Sequence, residues 1–379
     1  MNYIFKKKPY VYLFSAIDFL GGILFLPFSI FKRKAPGNVG KILLIRLDHI
    51  GDVVYSTAIP QNLKEHYRGA KITFLVPSAA KDIVMNNPYV DEVICYDAPW
   101  FSRNEKKEFE LSSFLMLSEG LKRQGYDLGF DLRGDFRHIL LMAMAGIKFR
   151  VGYGITGGGF LLHRMVDYRE GVHSLEHNLD LLRGMGVKII NFSLQLYSSE
   201  KDESRINDLL KESGLTGEDF IVTVHPYAGY SSKNWLDDRF AELINILKEN
   251  YKAKIILVGS ENDRAKTDEL IRISRSTAIN AAGRISLVGL YTLLKRSKLF
   301  IGLDSGPSHI AASTGKPSVI LFSGTNSIQQ WGAKGGNAVI IQKEIPCKGC
   351  EKLDCEHNIC MDLISVEDVV DAVKKVLSS

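Results

Sequence analysis

Three short stretches set a carboxylate, a hydroxyl or a cation directly after an apolar run, the place where an α/β protein keeps its chemistry. In LDHIGD, residues 47–52, Gly51 offers a tight turn, and Asp52 can stand at a helix start and take a proton from a substrate hydroxyl. Equally, Asp48 or Asp52 can cap the helix expected from Val53. LDSGPSHIAAS, residues 303–313, places Asp304, Ser305 and Gly306 before a proline-led helix with His309 one turn in. Free amides at such a start attract a phosphate, Gly306 permits its close approach, and Ser305 and His309 can add hydrogen bonds. A plainly capped helix with Pro307 in its first turn is the alternative. HPYAGYSSKNW, residues 225–235, leads to Lys233, whose ammonium could neutralise a diphosphate leaving group in a chain without an Asp-x-Asp metal motif. A solvated lysine is the bland reading.

Weaker signals follow other apolar runs. GSENDR, residues 259–264, could set Glu261 on a ribose or a base, or cap a helix. DLRGDFRH, residues 131–138, supplies Arg133 and Arg137 for an anionic acceptor, unless surface acids pair with them. GYGITG, residues 152–157, has the letters of G-x-G-x-x-G but no recognisable helix after it, so a dinucleotide site is rejected. A Walker P-loop and a G-x-S-x-G elbow are absent as well. PCKGCEKLDCEHNICM, residues 346–361, spaces Cys347, Cys350, Cys355 and Cys360 tightly enough for one zinc, an iron–sulfur cluster or local disulfides. Free thiols or a structural zinc are expected in a reducing cytoplasm.

These stretches must be held by strands and helices, and the alternation from residue 41 onward provides them. Strands are expected at 41–47, 72–77, 92–97 and 128–132, with helices near 53–68, 78–86, 105–124 and 135–145 between them. After a further helix at 172–186 and an aperiodic stretch at 187–201, the pattern restarts. Strands at 220–226, 254–260, 299–304 and 317–323 alternate with helices near 236–250, 263–275, 286–296 and 306–314. The expected organisation is a hydrophobic segment at 1–38, a first domain at 39–195, and a second domain at 196–379 that includes the cysteine segment. Both domains are Rossmann-like and doubly wound, facing a cleft that receives the strand ends.

A length of 379 residues suits two such domains, and 45% apolar with 24% charged residues excludes a disordered or fibrous chain. The net charge of +5 is spread without basic, aromatic-rich stripes, so no nucleic-acid partner is expected. Residues 11–31 form an apolar run interrupted by Asp18, Gly21-Gly22 and Pro27, with Lys6 to Lys8 before it and Lys32 to Lys34 after it. A signal peptide fits poorly, for want of a small-residue cleavage site. Basic residues at both ends favour a monotopic or re-entrant anchor at the inner leaflet over a spanning helix, and an apolar helix packed on the protein itself is the third reading.

Read together and in order, KILLIRLDHIGDVVYSTAIPQNL, YDLGFDLRGDFRH, HPYAGYSSKNW, GLDSGPSHIAAS and the cysteine segment ending in ISVEDVV resemble glycosyltransferase family 9, over roughly residues 40–375. That resemblance implies a GT-B fold, with an acceptor domain at 39–195 and a nucleotide-sugar-binding domain at 196–379, and inverting, metal-independent transfer with no cofactor required. The sugar would come from a nucleotide donor, usually ADP-heptose, and the acceptor would be a lipopolysaccharide core or related lipid-linked saccharide. It places the general base on Asp52 and the donor-diphosphate contacts on Lys233, Asp304, Ser305, Gly306 and His309, with Glu261 a weaker nucleotide contact. Asp48-His49 departs from the family's two small residues, and the hydrophobic extension suggests a membrane-resident acceptor at the cytoplasmic face of the bacterial inner membrane. The rivals are a transferase of another nucleotide sugar to a capsule or glycolipid, and a non-catalytic envelope-assembly protein.

Overall fold

The computed structural model describes residues 3, 8–30, 36–101 and 108–378. They fall into two compact units, Met1–Phe192 and Ser193–Ser379. In the first, β1 (Lys41–Ile45), β2 (Lys71–Val76), β3 (Glu92–Cys95), β4 (Leu128–Asp131), β5 (Phe149–Gly152) and β6 (Arg164–Met165) form one parallel sheet. Its order is β3-β2-β1-β4-β5-β6. In the second, β7 (Ile221–His225), β8 (Lys254–Leu257), β9 (Ile279–Asn280), β10 (Leu299–Leu303), β11 (Ser318–Leu321) and β12 (Ala338–Ile341) run in the order β12-β11-β10-β7-β8-β9. Counted from its own first strand, each sheet is wound alike. The order reverses between β1 and β4 in one and between β7 and β10 in the other, and at such a switch point the strand ends leave a crevice for ligands.

Why these segments are central strands is plain from their side chains. KILLI and IVTVH are rich in branched residues, and Ile42 to Ile45 and Ile221 to Val224 are fully or almost fully buried, as strands covered by helices on both faces require. Four short strands went unanticipated: β5, β6, β9 and β12. Two of them span only two residues, too few for any alternation to register. The helix expected at 53–68 is two helices, α2 (Ile50–Ser56) and α3 (Ile59–His66), because Pro60 in the first turn of α3 has no N–H to continue the earlier helix. Gly51 lies inside α2, and the turn before it is made by His49 in an extended conformation.

The apolar run near the N-terminus is a helix, α1 (Lys8–Ile30), packed on the first unit. Among the described residues no helix is long and apolar enough to cross a membrane, which corrects the spanning reading. Asp18 explains the placement: its Oδ1 accepts the Gly158 N–H at 2.7 Å and its Oδ2 accepts the Tyr3 hydroxyl at 2.7 Å. The bond from Gly158 anchors the helix to its own unit, since releasing the helix would take a buried carboxylate from its backbone donor. Burial, then the Asp18 partner, pushes the Tyr3 phenol up to about 12. Lys6, Lys7 and Lys32 to Lys34, the basic flanks of the run, lie outside the described residues.

Candidate functional site

At the switch point of the first unit, the chain leaves β1 through Arg46 and Asp48 and enters α2, which carries Asp52 in its first turn. The Arg46 guanidinium holds both acids. Its Nε donates to Asp48 Oδ1 at 2.7 Å and its Nη2 to Asp52 Oδ1 at 2.7 Å, while Nη1 donates to the Leu132 carbonyl at the exit of β4. Neither acid caps α2, whose N-cap residue is His49 and makes no side-chain capping bond, so the capping alternative does not describe this turn.

Two carboxylates around one guanidinium divide the electrostatics unevenly. Burial, reinforced by the Asp48 charge, pushes the Asp52 carboxyl up to about 6 against the pull of Arg46. For Asp48, burial also acts upward, but Arg46 and Arg133 outweigh it and hold the group below the usual carboxylate range. The pair therefore separates into one permanently charged acid and one unusually basic carboxylate, the division by which neighbouring acids take different roles. Asp52 is ionised near neutrality yet avid for a proton.

Arg133 donates from Nη1 to Asp48 and lies over the Phe101 ring, 4.4 Å from its centroid. Arg137 is bidentate on Asp135, at 2.8 and 2.6 Å, and lies 4.6 Å from the Trp100 centroid. Both expected acceptor arginines are thus paired and stacked, but their side chains remain 35% and 42% exposed. A cavity of about 340 Å³ beside them is lined by Leu47, Asp48, Pro77, Ser78, Asp97 and Phe101 among others.

The second unit builds its own cluster at the β7/β10 switch point. Lys233, in the short turn after β7, donates from Nζ to Asp304 Oδ2 at 2.6 Å and to the Asp304 carbonyl at 3.2 Å. Asn326 Nδ2 donates to the same carboxylate at 3.1 Å. Ser305 is the N-cap residue of the helix Gly306–Ser313; it spends no side-chain bond on the cap, its hydroxyl donating to the Leu303 carbonyl and standing 3.4 Å from His225 Nδ1. Burial pushes His225 down to about 4, so its ring is neutral at physiological pH. His309 is buried in the first turn of that helix. Glu261 lies apart from the lysine cluster, after β8, 68% exposed and 3.5 Å from Arg264; the capping there is done by Ser260 and Asp263. A nearly buried cation at a helix N-terminus, with hydroxyls beside it, can take up the charge of a diphosphate.

Of the two states expected for the cysteine segment, the free thiols are the one present. Cys347 is exposed, Cys350 and Cys355 half-buried and Cys360 buried, all as free thiols. Among the described residues no group of three or more His, Cys, Asp or Glu could hold a metal ion, so the zinc site is not assembled. Instead Cys360 joins the apolar core and the preceding segment straps the lysine turn: Ser232 Oγ donates to the Lys352 and Leu353 carbonyls at 2.8 and 3.1 Å, and Asn358 Nδ2 to the Asn234 carbonyl at 2.9 Å.

Sequence reasoning missed Arg46, Asn326 and His225, and weighed Asp48 as a cap and as a departure from the family's small residues, not as an ion-pair partner of Arg46. Arg46 was the detectable one: a charge directly after a fully apolar strand is buried, and a buried charge needs a partner.

Comparison with known proteins follows from this geometry. The profile of glycosyltransferase family 9 (heptosyltransferase) matches residues 114–359. Lipopolysaccharide heptosyltransferase 3 of Escherichia coli K12 is 26% identical over 343 residues, covering 86% of this chain and 95% of that protein. A glycosyl transferase family 9 structure from Veillonella parvula superposes with a TM-score of 0.76 at 21% identity, covering 90% of this chain and 98% of that one. The ADP-heptose lipopolysaccharide heptosyltransferase II of E. coli gives 0.71 at 22% identity, covering 89% and 98%. These two likenesses carry the fold, that of two parallel-sheet α/β domains.

Proposed function

As the chain belongs to glycosyltransferase family 9 and is a glycosyltransferase using a nucleotide-sugar donor, we propose that it moves a heptose from ADP-heptose to a lipopolysaccharide core or related lipid-linked saccharide. The observation that carries inverting transfer is Asp52, a buried carboxylate of raised basicity held by Arg46 at the β1/β4 switch point, and the similarity to heptosyltransferases is what supports the donor and acceptor. The acceptor hydroxyl gives its proton to Asp52 as its oxygen attacks the anomeric carbon from the face opposite the leaving group. The new C–O bond forms as the bond to the diphosphate breaks, so the configuration inverts. The electron pair departs on the nucleoside diphosphate, whose added charge is taken up by Lys233 and by the amides and hydroxyls around Ser305, Gly306 and His309, without need of a metal. Glu261 is the weaker candidate for the nucleoside. Arg133 and Arg137 offer their open faces to acidic groups of the acceptor. The place of action is the cytoplasmic face of the inner membrane.

A second reading is transfer of another sugar to a capsule or glycolipid, favoured by Asp48 lining the cavity next to the base where the family has a small residue. Calorimetric titration of the full chain with ADP, GDP, UDP and CDP separates the two. Preference for ADP supports the heptosyl donor, preference for another nucleotide moves the substrate, and binding of none returns the chain to a scaffold role.

A further inference from the structure

The helix α1 has two faces with different neighbours. Phe14, Asp18 and Gly21, spaced by four and three, share the docked face. Phe14 meets the Phe136 ring at 5.6 Å between centroids, and Asp18 accepts from Gly158. The contact is close because glycines make it so. A Cβ on Gly21 would lie 2.5 Å from the Phe160 ring, and one on Gly157 2.6 Å from the Phe14 ring, with Gly157 already at φ +97°. The end of the GYGITG motif, Gly157, is with Gly158 the seat of this helix.

On the opposite face Tyr12, Leu13, Phe19, Leu20, Ile23 and Leu24 are each more than half exposed. A glycine seat and a buried carboxylate fix the rotation of α1, so the helix cannot turn these side chains inward. An apolar face of this extent in a soluble setting marks an interaction surface. The sequence sets Lys6 and Lys7 before the helix, Lys8 at its start and Lys32, Arg33 and Lys34 after it, which complements anionic headgroups; Tyr10 and Tyr12 suit the boundary between water and lipid.

We propose that α1 is an in-plane anchor: its outward face lies in the surface of an anionic bilayer while its inward face is locked to the acceptor unit. Phe136, against which Phe14 packs, directly precedes Arg137, so the lipid surface is held beside the residues that would receive a lipid-linked acceptor. That last step rests on the acceptor reading above; the anchor itself does not.

Flotation of the full chain with phosphatidylglycerol-containing vesicles tests it. The chain is expected to float, and the double variant Phe19→Asp, Ile23→Asp to lose more than about a hundredfold in partition, from roughly tenfold or more for each apolar side chain kept out of lipid. ADP affinity is expected to stay unchanged. In Leu20→Trp, fluorescence is expected to be quenched more by lipids brominated near the headgroup than at the chain ends. Failure of the unmutated chain to float, unchanged flotation of the variant, or stronger quenching from the chain ends would overturn the anchor. So would a dimer in vesicle-free buffer that the variant dissociates, since a second copy would then cover the face. Transfer assayed on a water-soluble acceptor keeps the two ideas apart: transfer without flotation sinks the anchor alone, and flotation without transfer sinks the function alone.

Discussion

Asp48→Asn isolates the electrostatics of the base. With Asp48 neutral, Asp52 loses the like charge that shares Arg46 with it, so its carboxyl falls back from about 6 toward the ordinary 3.8 while burial still holds it up. Two oxygens bound to adjacent nitrogens of one guanidinium stand about 5 Å apart, and at an effective dielectric near 20 their charges repel by about 3 kcal/mol, or about 2 pH units. Both side chains are at most 6% exposed, so solvent screening removes little of this. The assay is kcat/KM against pH, whose acidic limb reports the free enzyme's base. The limb in the unmutated chain should lie near pH 6, with activity lost below it as Asp52 protonates. In the variant it should move down by about 2 units, and the plateau should fall by roughly tenfold if half of the lost basicity is felt in the transition state. A limb that stays in place or moves upward, in a variant that still folds and binds ADP, refutes the coupling between the acids.

Three further outcomes follow from the same geometry. Asp52→Asn should lower transfer by about 10²–10⁴-fold with ADP affinity unchanged by calorimetry, because the carboxamide cannot take the proton. Lys233→Ala should weaken ADP by roughly 10–100-fold, the worth of a charge-assisted bond, and release Asp304 from its partner. Gly21→Leu should undock α1 by driving a side chain into the Phe160 ring; denaturant unfolding should show a loss of about 1–3 kcal/mol, as for other overpacked contacts.

The central strands were legible because burial on both faces writes itself as continuous branched residues, as in KILLI and LFIGL. Edge strands such as Arg164–Met165 were not, since two residues paired at a rim need no pattern. Asp52, Lys233 and Asp304 could be singled out as candidates because they follow strands at glycine-bearing turns. What could not be read was pairing: that Asp48 and Asp52 share Arg46, that Arg133 and Arg137 are stacked on Phe101 and Trp100, and that Ser232 is strapped by the cysteine segment are contacts between residues distant in sequence or geometry within a turn. The cysteine spacing alone could not decide between free thiols and a metal site, because nearness along the chain does not fix which side chain, here Cys360, is drawn into an apolar core.

The winding of the two sheets also has a kinetic meaning. Each cluster hangs from the exits of two inner strands, β1 and β4 or β7 and β10, each flanked by hydrogen-bonded neighbours. Backbone amides there exchange with solvent only through the larger openings of a unit, whereas rim strands of two to four residues open at little cost. In deuterium, β6 and β9 should label first and the central strands last. The charged groups can therefore keep their spacing through the frequent fraying of the rims, and a substitution that loosens an edge should be tolerated far better than one in β1 or β10.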